Sequence, residues 1–257
     1  MPAAYFPDSQ ADKKMEVINI EARYSKEIKL SKKDIEKLPE KIALFSTVQF
    51  IGQLKYVKKE LEKRSKKIIM PKPRHSKYNG QLLGCGIEKF NADGLLFIGD
   101  GYFHPIALAL KNDRPVFIYN PYAKRLSMLN KSIVEKIRKR QKYSLAKFYS
   151  SENIGIIVST KPGQNNLEAA LKLKRYIRKK GKNAYVLIGN TINPGSLEDF
   201  NFIECFVNTA CPRIAIDDYE KIEKPIINME DIPGIKEIIK AEPKNKTDNR
   251  THKKHKK

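Results

Sequence analysis

The sequence has little cysteine, few acidic residues and no long apolar run. Its 257 residues include 3 cysteines, and 29 Asp and Glu stand against 51 Lys and Arg, a formal net charge of +22. Three cysteines do not make a disulfide framework in a chain of this length, so a reducing compartment is the default expectation. The shortage of acids excludes an acidic solvating protein and indicates an anionic partner, without saying which one.

Membrane and secretory signals are also missing. No run of about 18 apolar residues occurs, and even residues 94–110 contain Asp100 and His104. The N-terminus lacks the basic and apolar regions of a signal peptide. We therefore expect a soluble, cytoplasmic protein that does not associate with membranes. With 40% hydrophobic residues, the chain can bury a core, and its length suits about two domains.

Two basic segments account for much of the positive charge. Residues 241–257 contain seven Lys or Arg and no apolar residue after Ala241, which predicts a disordered tail. A nucleic-acid-binding arm is the alternative interpretation of that tail. Residues 136–142 are basic too, but they lie within an apolar pattern from Leu126 to Phe148 at three- and four-residue steps. That spacing predicts a helix whose charges form its solvated face.

From Lys41 onward, short apolar runs alternate with amphipathic stretches. This pattern predicts an α/β fold with a parallel sheet covered on both faces. The expected strands are 42–48, 67–70, 94–98 and 115–119, and the expected helices are 53–63 and 104–111.

The second half of the chain repeats the order of the first. Residues 42–47 correspond to 155–160, and residues 96–100 correspond to 205–209. We therefore predict a duplicated α/β unit at 39–149 and 150–240. Residues 1–38 do not fit this plan, because they contain only two lone strands, at 3–6 and 15–20, and a short helix that begins after Ser31.

Two loops contain polar candidates at strand ends, where open α/β sheets bind ligands. In the first, Gly99, Asp100 and Gly101 precede His104 at the start of a helix. Such a loop suits a carboxylate or phosphate, although a tight turn capped by Asp100, with a structural His104, fits equally well. In the second, 159–164, the Walker spacing is absent, but the loop can still hold a polar ligand.

Two further loops each contain a cysteine, Cys85 between glycines and Cys211 before Pro212. Thiols in such loops can project into a cleft and share a metal or cluster between the two units. No CxxC pair occurs, which argues against zinc-ribbon and thioredoxin sites. Cys205 lies within an apolar run, and we predict that it is a buried strand residue.

Together, these segments resemble diphthamide synthase, the archaeal 2-(3-amino-3-carboxypropyl)histidine synthase family. The match runs from about Lys41 to Asp231, in the family's order and spacing. The segments that carry it are Gln81–Cys85, Ala92–Pro105, Gly155–Gln164 and Phe206–Asp218.

The resemblance implies tandem Rossmann-like α/β domains with parallel sheets. It gives two complete copies, 39–149 with Cys85 and 150–240 with Cys211, and leaves 1–38 as the remnant of a third domain. It implies that the cysteines ligate a [4Fe–4S] cluster and that S-adenosyl-L-methionine is the second cofactor. The residues that bind S-adenosyl-L-methionine would be Gly99, Asp100, Gly101, His104, Lys161 and Gln164.

The implied reaction is radical transfer of the 3-amino-3-carboxypropyl group to a histidine of translation elongation factor 2, with an electron donor that the sequence does not identify. The family's first domain and its cysteine are not found here. Either a complementing chain supplies that domain, or the sequence is a fragment; Cys205 is a weaker substitute ligand. A homodimer is the other assembly that we expect. The alternatives to an enzyme are a non-catalytic scaffold subunit and a basic RNA-binding accessory protein.

Overall fold

A computed structural model describes residues 20–84, 86–216 and 222–241. Cys85, most of the expected strands in 1–38 and the tail after Ala241 lie outside these ranges. Five strands form the first sheet: β1 (Lys41–Ser46), β2 (Lys67–Ile69), β3 (Gly94–Ile98), β4 (Val116–Asn120) and β5 (Arg125–Met128). They lie in the order β2-β1-β3-β4-β5, and all neighbours are parallel except β5, which is antiparallel to β4.

Helices cover both faces of this sheet. They are α1 (Lys32–Glu36), α2 (Leu54–Glu62), α3 (Phe103–Lys111) and α4 (Lys131–Ser150). Because side chains alternate along a strand, Ile42 and Leu44 of β1 pack with α1 and α2, whereas Ala43 and Phe45 pack with α3 and α4. Every residue of β3 is buried, as expected for a central parallel strand.

The described part of the N-terminal segment packs onto the first sheet. Ile28 and Leu30 share its core, and the Tyr119 hydroxyl donates to the carbonyl of Lys29 at 2.7 Å. Ser31 caps α1 as the sequence predicts, since its hydroxyl accepts from the amide of Asp34 at 3.1 Å. A domain boundary at residue 38 stays a prediction, but residues 28–38 share a core with β1.

Four parallel strands form the second sheet: β6 (Asn153–Ser159), β7 (Asn183–Gly189), β8 (Cys205–Asn208) and β9 (Ile226–Asn228). Their order is β7-β6-β8-β9, the order of the four parallel strands of the first sheet. The α/β class with parallel sheets is therefore confirmed, and the duplication stays a prediction. The accompanying helices are α5 (Leu167–Lys179), α6 (Pro194–Glu198), α7 (Arg213–Ile216) and α8 (Ile235–Ala241).

Helix α4 joins the two sheets, because Val134 lies in the core of the first and Phe148 in the core of the second. It begins later than its apolar spacing predicts. Leu126 belongs instead to strand β5, which follows a turn closed by the Asn120 side chain and by Lys124 in the left-handed region. Within the described ranges, no helix is long and apolar enough to span a membrane.

Candidate functional site

The predicted loops lie at the carboxyl ends of the strands, where parallel sheets bind ligands. The loop before Cys85 reaches this edge through a parallel bridge between Gln81 and Ser46. Ser46 donates its amide to the carbonyl of Gly80, and the amide of Leu82 donates to the carbonyl of Ser46, each at 2.8 Å. The backbone of β1 therefore fixes the segment that leads to Gly84.

Two buried asparagines hold the loop of Cys211. The Asn208 side chain donates to the carbonyl of Cys211 at 2.9 Å and accepts the amide of Ala210 at 3.1 Å. Asn228 donates to the carbonyl of Pro212 at 3.2 Å. Sequence reasoning did not single out either asparagine, although each ends an apolar strand, which is an unusual place for a buried amide.

A cleft of about 620 Å³ lies between the two sheets; we call it the cysteine cleft. Its lining includes Gly84, Phe103 and His104 from the first unit and Gln164, Cys211 and Arg213 from the second. The Arg213 guanidinium lies 4.2 Å from the centre of the Phe103 ring, a cation–π contact. This stack bridges the loops of the two units beside Cys211, which is a free thiol of intermediate exposure.

Gly84 is required by the close approach of Phe103. A Cβ added at Gly84 would lie 2.8 Å from Cζ of that ring, closer than carbon atoms pack. Gly84 thus lets the ring lie against the backbone next to the Cys85 position. Cys85 itself lies outside the described residues.

The loop after β3 is stabilised by its own side chains. Asp100 Oδ1 accepts the amide of Gly101 and the side chain of Asn120, both at 2.8 Å, and Gly101 has a φ of +77°. Asp100 therefore ties β3 to β4 rather than capping α3. The His104 ring stacks on Phe97 at 5.5 Å between ring centres and borders the cysteine cleft, whereas Gly99 lies close over the Phe97 ring.

Lys161 and Gln164 lie on the other side of Cys211. With Ser159, Cys211 and Arg213 they line an adjoining cavity of about 270 Å³, and Gln164 lines both spaces. The amide of Lys161 donates to the Ser159 hydroxyl at 3.2 Å, and the amide of Gln164 donates to the carbonyl of Lys161 at 3.0 Å. The structure thus brings His104, Lys161, Gln164 and Cys211 around one region.

A third cavity, of about 480 Å³, is charged and borders the same loops. Gly84, Gly86 and Pro212 line it, so the residues on both sides of Cys85 face it. On its wall, Lys111 pairs with Asp231 at 3.4 Å, and Gln141 donates to Asp231 at 3.2 Å. These contacts join α3, α4 and the turn after β9 beside the cysteine loops.

Cys205 does not belong to this site. It is fully buried in β8 among the apolar residues under α4 and α5, and burial raises the pKa of its thiol to about 12. The prediction of a buried strand cysteine is confirmed. In the described ranges, which exclude Cys85, no three His, Cys, Asp or Glu side chains come together as a metal site.

Comparison with known proteins agrees with the resemblance in the sequence. A family model described as "Putative diphthamide synthesis protein" matches residues 5–234. The 2-(3-amino-3-carboxypropyl)histidine synthase of Pyrococcus horikoshii is 34% identical over 202 residues, which cover 77% of this chain and 58% of the relative. Subunit 1 of the synthase of Schizosaccharomyces pombe is 31% identical over 188 residues, covering 69% and 42% of the two chains.

The solved structure of Dph2 from Pyrococcus horikoshii with a 4Fe-4S cluster gives a TM-score of 0.67 at 30% identity, over 82% of this chain and 61% of that one. The chain thus spans about three-fifths of the length of these archaeal relatives. The family match covers most of the sequence and includes both cysteine loops. The chain belongs to the diphthamide synthesis protein family.

Proposed function

We propose that this chain is part of an enzyme that transfers the 3-amino-3-carboxypropyl group of S-adenosyl-L-methionine to a histidine of translation elongation factor 2, the first step of diphthamide formation. The observation that carries the proposal is the cysteine cleft, which is lined both by Cys211 and by Gly84, the residue before Cys85. Relatives named as the synthase support it. The reaction would take place in the cytoplasm, where elongation factor 2 acts.

Cys85 and Cys211 would supply two of three thiolates to a [4Fe–4S] cluster. Cys211 is a partly exposed free thiol, and the residues on both sides of Cys85 line an adjoining cavity, which fits a cluster between units 39–149 and 150–240. The related Dph2 contains such a cluster. When bound, a cluster with three protein ligands supplies an electron and an open iron position for the methionine part of the cofactor.

The third thiolate would come from outside these 257 residues. The chain has only one other cysteine, Cys205, which is buried under α4, with its sulfur 3.8 Å from the carbonyl of Ser144. A complementing polypeptide with one loop cysteine therefore suits the site better than Cys205 does.

The polar residues beside Cys211 would bind the amino-acid end of S-adenosyl-L-methionine rather than the cluster. S-Adenosyl-L-methionine carries a carboxylate on the carbon chain that is transferred, and a carboxylate favours amide and cationic donors. Lys161, Gln164 and Arg213 offer these groups around one space. The Phe103 ring keeps the Arg213 guanidinium at the edge of the cleft, so this chain's residues would fix the position of the amino-acid end.

Anaerobic reconstitution tests the cluster and the reaction separately. The chain is treated with iron, sulfide and a monothiol that can act as the third ligand, and visible absorbance and bound iron are measured. Cys85→Ala and Cys211→Ala should lose both signals, whereas Cys205→Ala, the matched control, should retain them. Mass spectrometry of elongation factor 2 then measures transfer when a complementing domain is added. Equal iron in all three variants would contradict the ligand assignment.

A scaffold subunit is the second candidate. It is favoured by the fact that fungal relatives are named as one subunit of a synthase, so a chain of this family can work beside another. Cys85→Ala and Cys211→Ala distinguish the two roles. Unchanged modification of elongation factor 2 by both variants would favour the scaffold, and loss would favour the enzyme.

A further inference from the structure

The C-terminal ends of α4 and α5 meet at the amino-end edge of the second sheet, opposite the cysteine cleft. Helix α4 ends at Ser150 just before β6, and α5 ends at Lys179 just before β7. The Lys182 ammonium links the two ends, since it donates to the carbonyl of Ser151 at 2.8 Å and to that of Tyr149 at 2.5 Å. Both helices pack on the same face of the sheet.

This surface is strongly basic. Helix α4 contains one acid, Glu135, and α5 contains one, Glu168. Lys and Arg are far more numerous in both helices. Those of α4 are Lys131, Lys136, Arg138, Lys139, Arg140, Lys142 and Lys147, and those of α5 are Lys172, Lys174, Arg175, Arg178 and Lys179.

Two acids lie near the end of α4: Glu152, which is exposed, and Glu204, which is already engaged. The Glu204 carboxylate accepts the backbone amides of Glu152 and Asn153, both at 2.8 Å. These hydrogen bonds lower the pKa of Glu204. The carboxylate therefore binds the backbone at the start of β6, and the charge of Lys147 also contributes to lowering its pKa.

Two exposed aromatic side chains lie among these cations. Tyr143 is 55% exposed and Tyr149 is 53% exposed. Basic residues at helix C-termini complement the helix dipole, but that effect gives no reason for exposed tyrosines. We define the basic platform as Lys142, Tyr143, Lys147, Tyr149, Arg178 and Lys180, all of which are exposed.

We propose that the basic platform binds single-stranded RNA. Its cations would contact phosphates, and the rings of Tyr143 and Tyr149 would stack on bases, the combination that single-strand binding proteins use. Binding of an acidic protein surface would require the basic side chains of the platform but not its exposed tyrosine rings. From Lys142 to Tyr149 the platform extends about 10 Å along α4. Tyr143 and Tyr149 lie about 120° apart around the helix axis, so a strand of a few nucleotides that contacts both rings must cross the exposed side of α4.

The platform is separate from the proposed reaction. Strand β6 has seven residues, so its two ends are about 23 Å apart. Cluster assembly at the carboxyl end and RNA binding at the amino end can therefore fail independently.

Fluorescence anisotropy with a labelled, short single-stranded RNA tests the charges. The platform variant combines Lys142→Glu, Lys147→Glu, Arg178→Glu and Lys180→Glu in the full chain. The matched control makes the same four types of change on and just after α2, at Lys55, Lys59, Lys63 and Arg64, which are also exposed. The platform variant should bind about tenfold or more weakly, with a salt slope reduced by about three. Equal weakening in the control would overturn the proposal.

The tyrosines provide the second test. Tyr143→Ala and Tyr149→Ala should each weaken RNA binding about fivefold or more, because base stacking is lost, whereas Tyr143→Phe and Tyr149→Phe should retain it. Unchanged affinity in both alanine variants would contradict stacking. A polyglutamate peptide serves as the competitor, at a carboxylate concentration equal to the phosphate concentration of the RNA. Displacement of the RNA by this peptide would indicate an acidic protein partner instead. Circular dichroism of each variant checks the fold.

Discussion

Asn208 and Asn228 join the ends of two neighbouring strands by a buried hydrogen bond, in which Asn208 Nδ2 donates to Asn228 Oδ1 at 2.7 Å. The two side chains are 2% and 3% exposed. Each also binds the backbone of the loop that contains Cys211. Buried amides require hydrogen-bond partners. This pair therefore holds the loop of Cys211 in one position more firmly than hydrogen bonds to water would.

Replacing either asparagine by leucine should destabilise the fold. Asn208→Leu leaves the buried Oδ1 of Asn228 and two part-buried backbone groups of the loop without this partner, at a cost of about 1–3 kcal/mol. A double-mutant cycle with Asn228→Leu should give a coupling energy of at least about 0.5 kcal/mol. Urea unfolding measures both quantities.

The chain offers a matched control for that cycle. Asn183 donates to Asn153 at 3.1 Å at the exposed, opposite end of the second sheet. The same substitutions there should change the free energy of unfolding by less than about 0.5 kcal/mol. A similar loss at both pairs would contradict a special role for the buried pair.

Gly84→Ala should disturb the contact between the two units. The added Cβ would meet the Phe103 ring at 2.8 Å, so the ring must move, and its stack with Arg213 must loosen. We expect a loss of about 1–3 kcal/mol and less iron bound on reconstitution. Gly52→Ala is the control, because nothing lies within 4 Å of its Cβ position. Equal iron in the two variants would show that the stack does not position the cysteine loops.

The fold could be predicted from the sequence where strands are buried on both faces of the sheet. Residues 94–98 form β3 as predicted, because a fully buried strand shows as an unbroken apolar run. Strand β5 was not foreseen. Leu126 and Leu129 have helical spacing with α4, and only the N-cap of α4, where the Asn130 side chain accepts the amide of Ser132, separates them from that helix.

Only part of the candidate site could be predicted from the sequence. The loops at Cys211 and His104 could be placed by their position after strands. The contact between Phe103 and Arg213 joins residues 110 positions apart in the two units, and the Asn208–Asn228 bond depends on the pairing of β8 with β9. Such contacts depend on tertiary packing, which local pattern does not contain.

An ionic cluster around Glu21 joins the N-terminal segment to the loop after β2. Its carboxylate accepts from Arg23 at 2.6 Å, Lys77 at 2.9 Å and the Tyr78 hydroxyl at 2.9 Å. These hydrogen bonds, that of Arg23 first, lower the pKa of Glu21 from 4.5 to about 2. The stabilisation is present above pH 4.5 and is lost as pH falls towards 2.

An NMR titration of the Glu21 carboxyl carbon checks this pKa. The midpoint should lie near 2 in the unmodified chain and should rise in Lys77→Ala, since one hydrogen bond and one charge are removed. Lys63→Ala, which removes an ion pair with Glu60 on α2, should leave the midpoint unchanged. A midpoint that does not respond to Lys77→Ala would contradict the cluster.

Cys205 should make the fold sensitive to alkali. Burial raises the pKa of its thiol from 9.0 to about 12, so above pH 9 the unfolded chain releases a proton that the folded chain retains. This group alone should then lower the free energy of unfolding by about 1.4 kcal/mol per pH unit.

The variant Cys205→Ala lacks that contribution, whereas the lysines titrate equally in both proteins. Hence the stability advantage of the unmodified chain over Cys205→Ala should shrink between pH 9 and 10.5, as measured by urea unfolding. A constant difference across that range would mean that the thiol ionises in the folded state and reaches solvent.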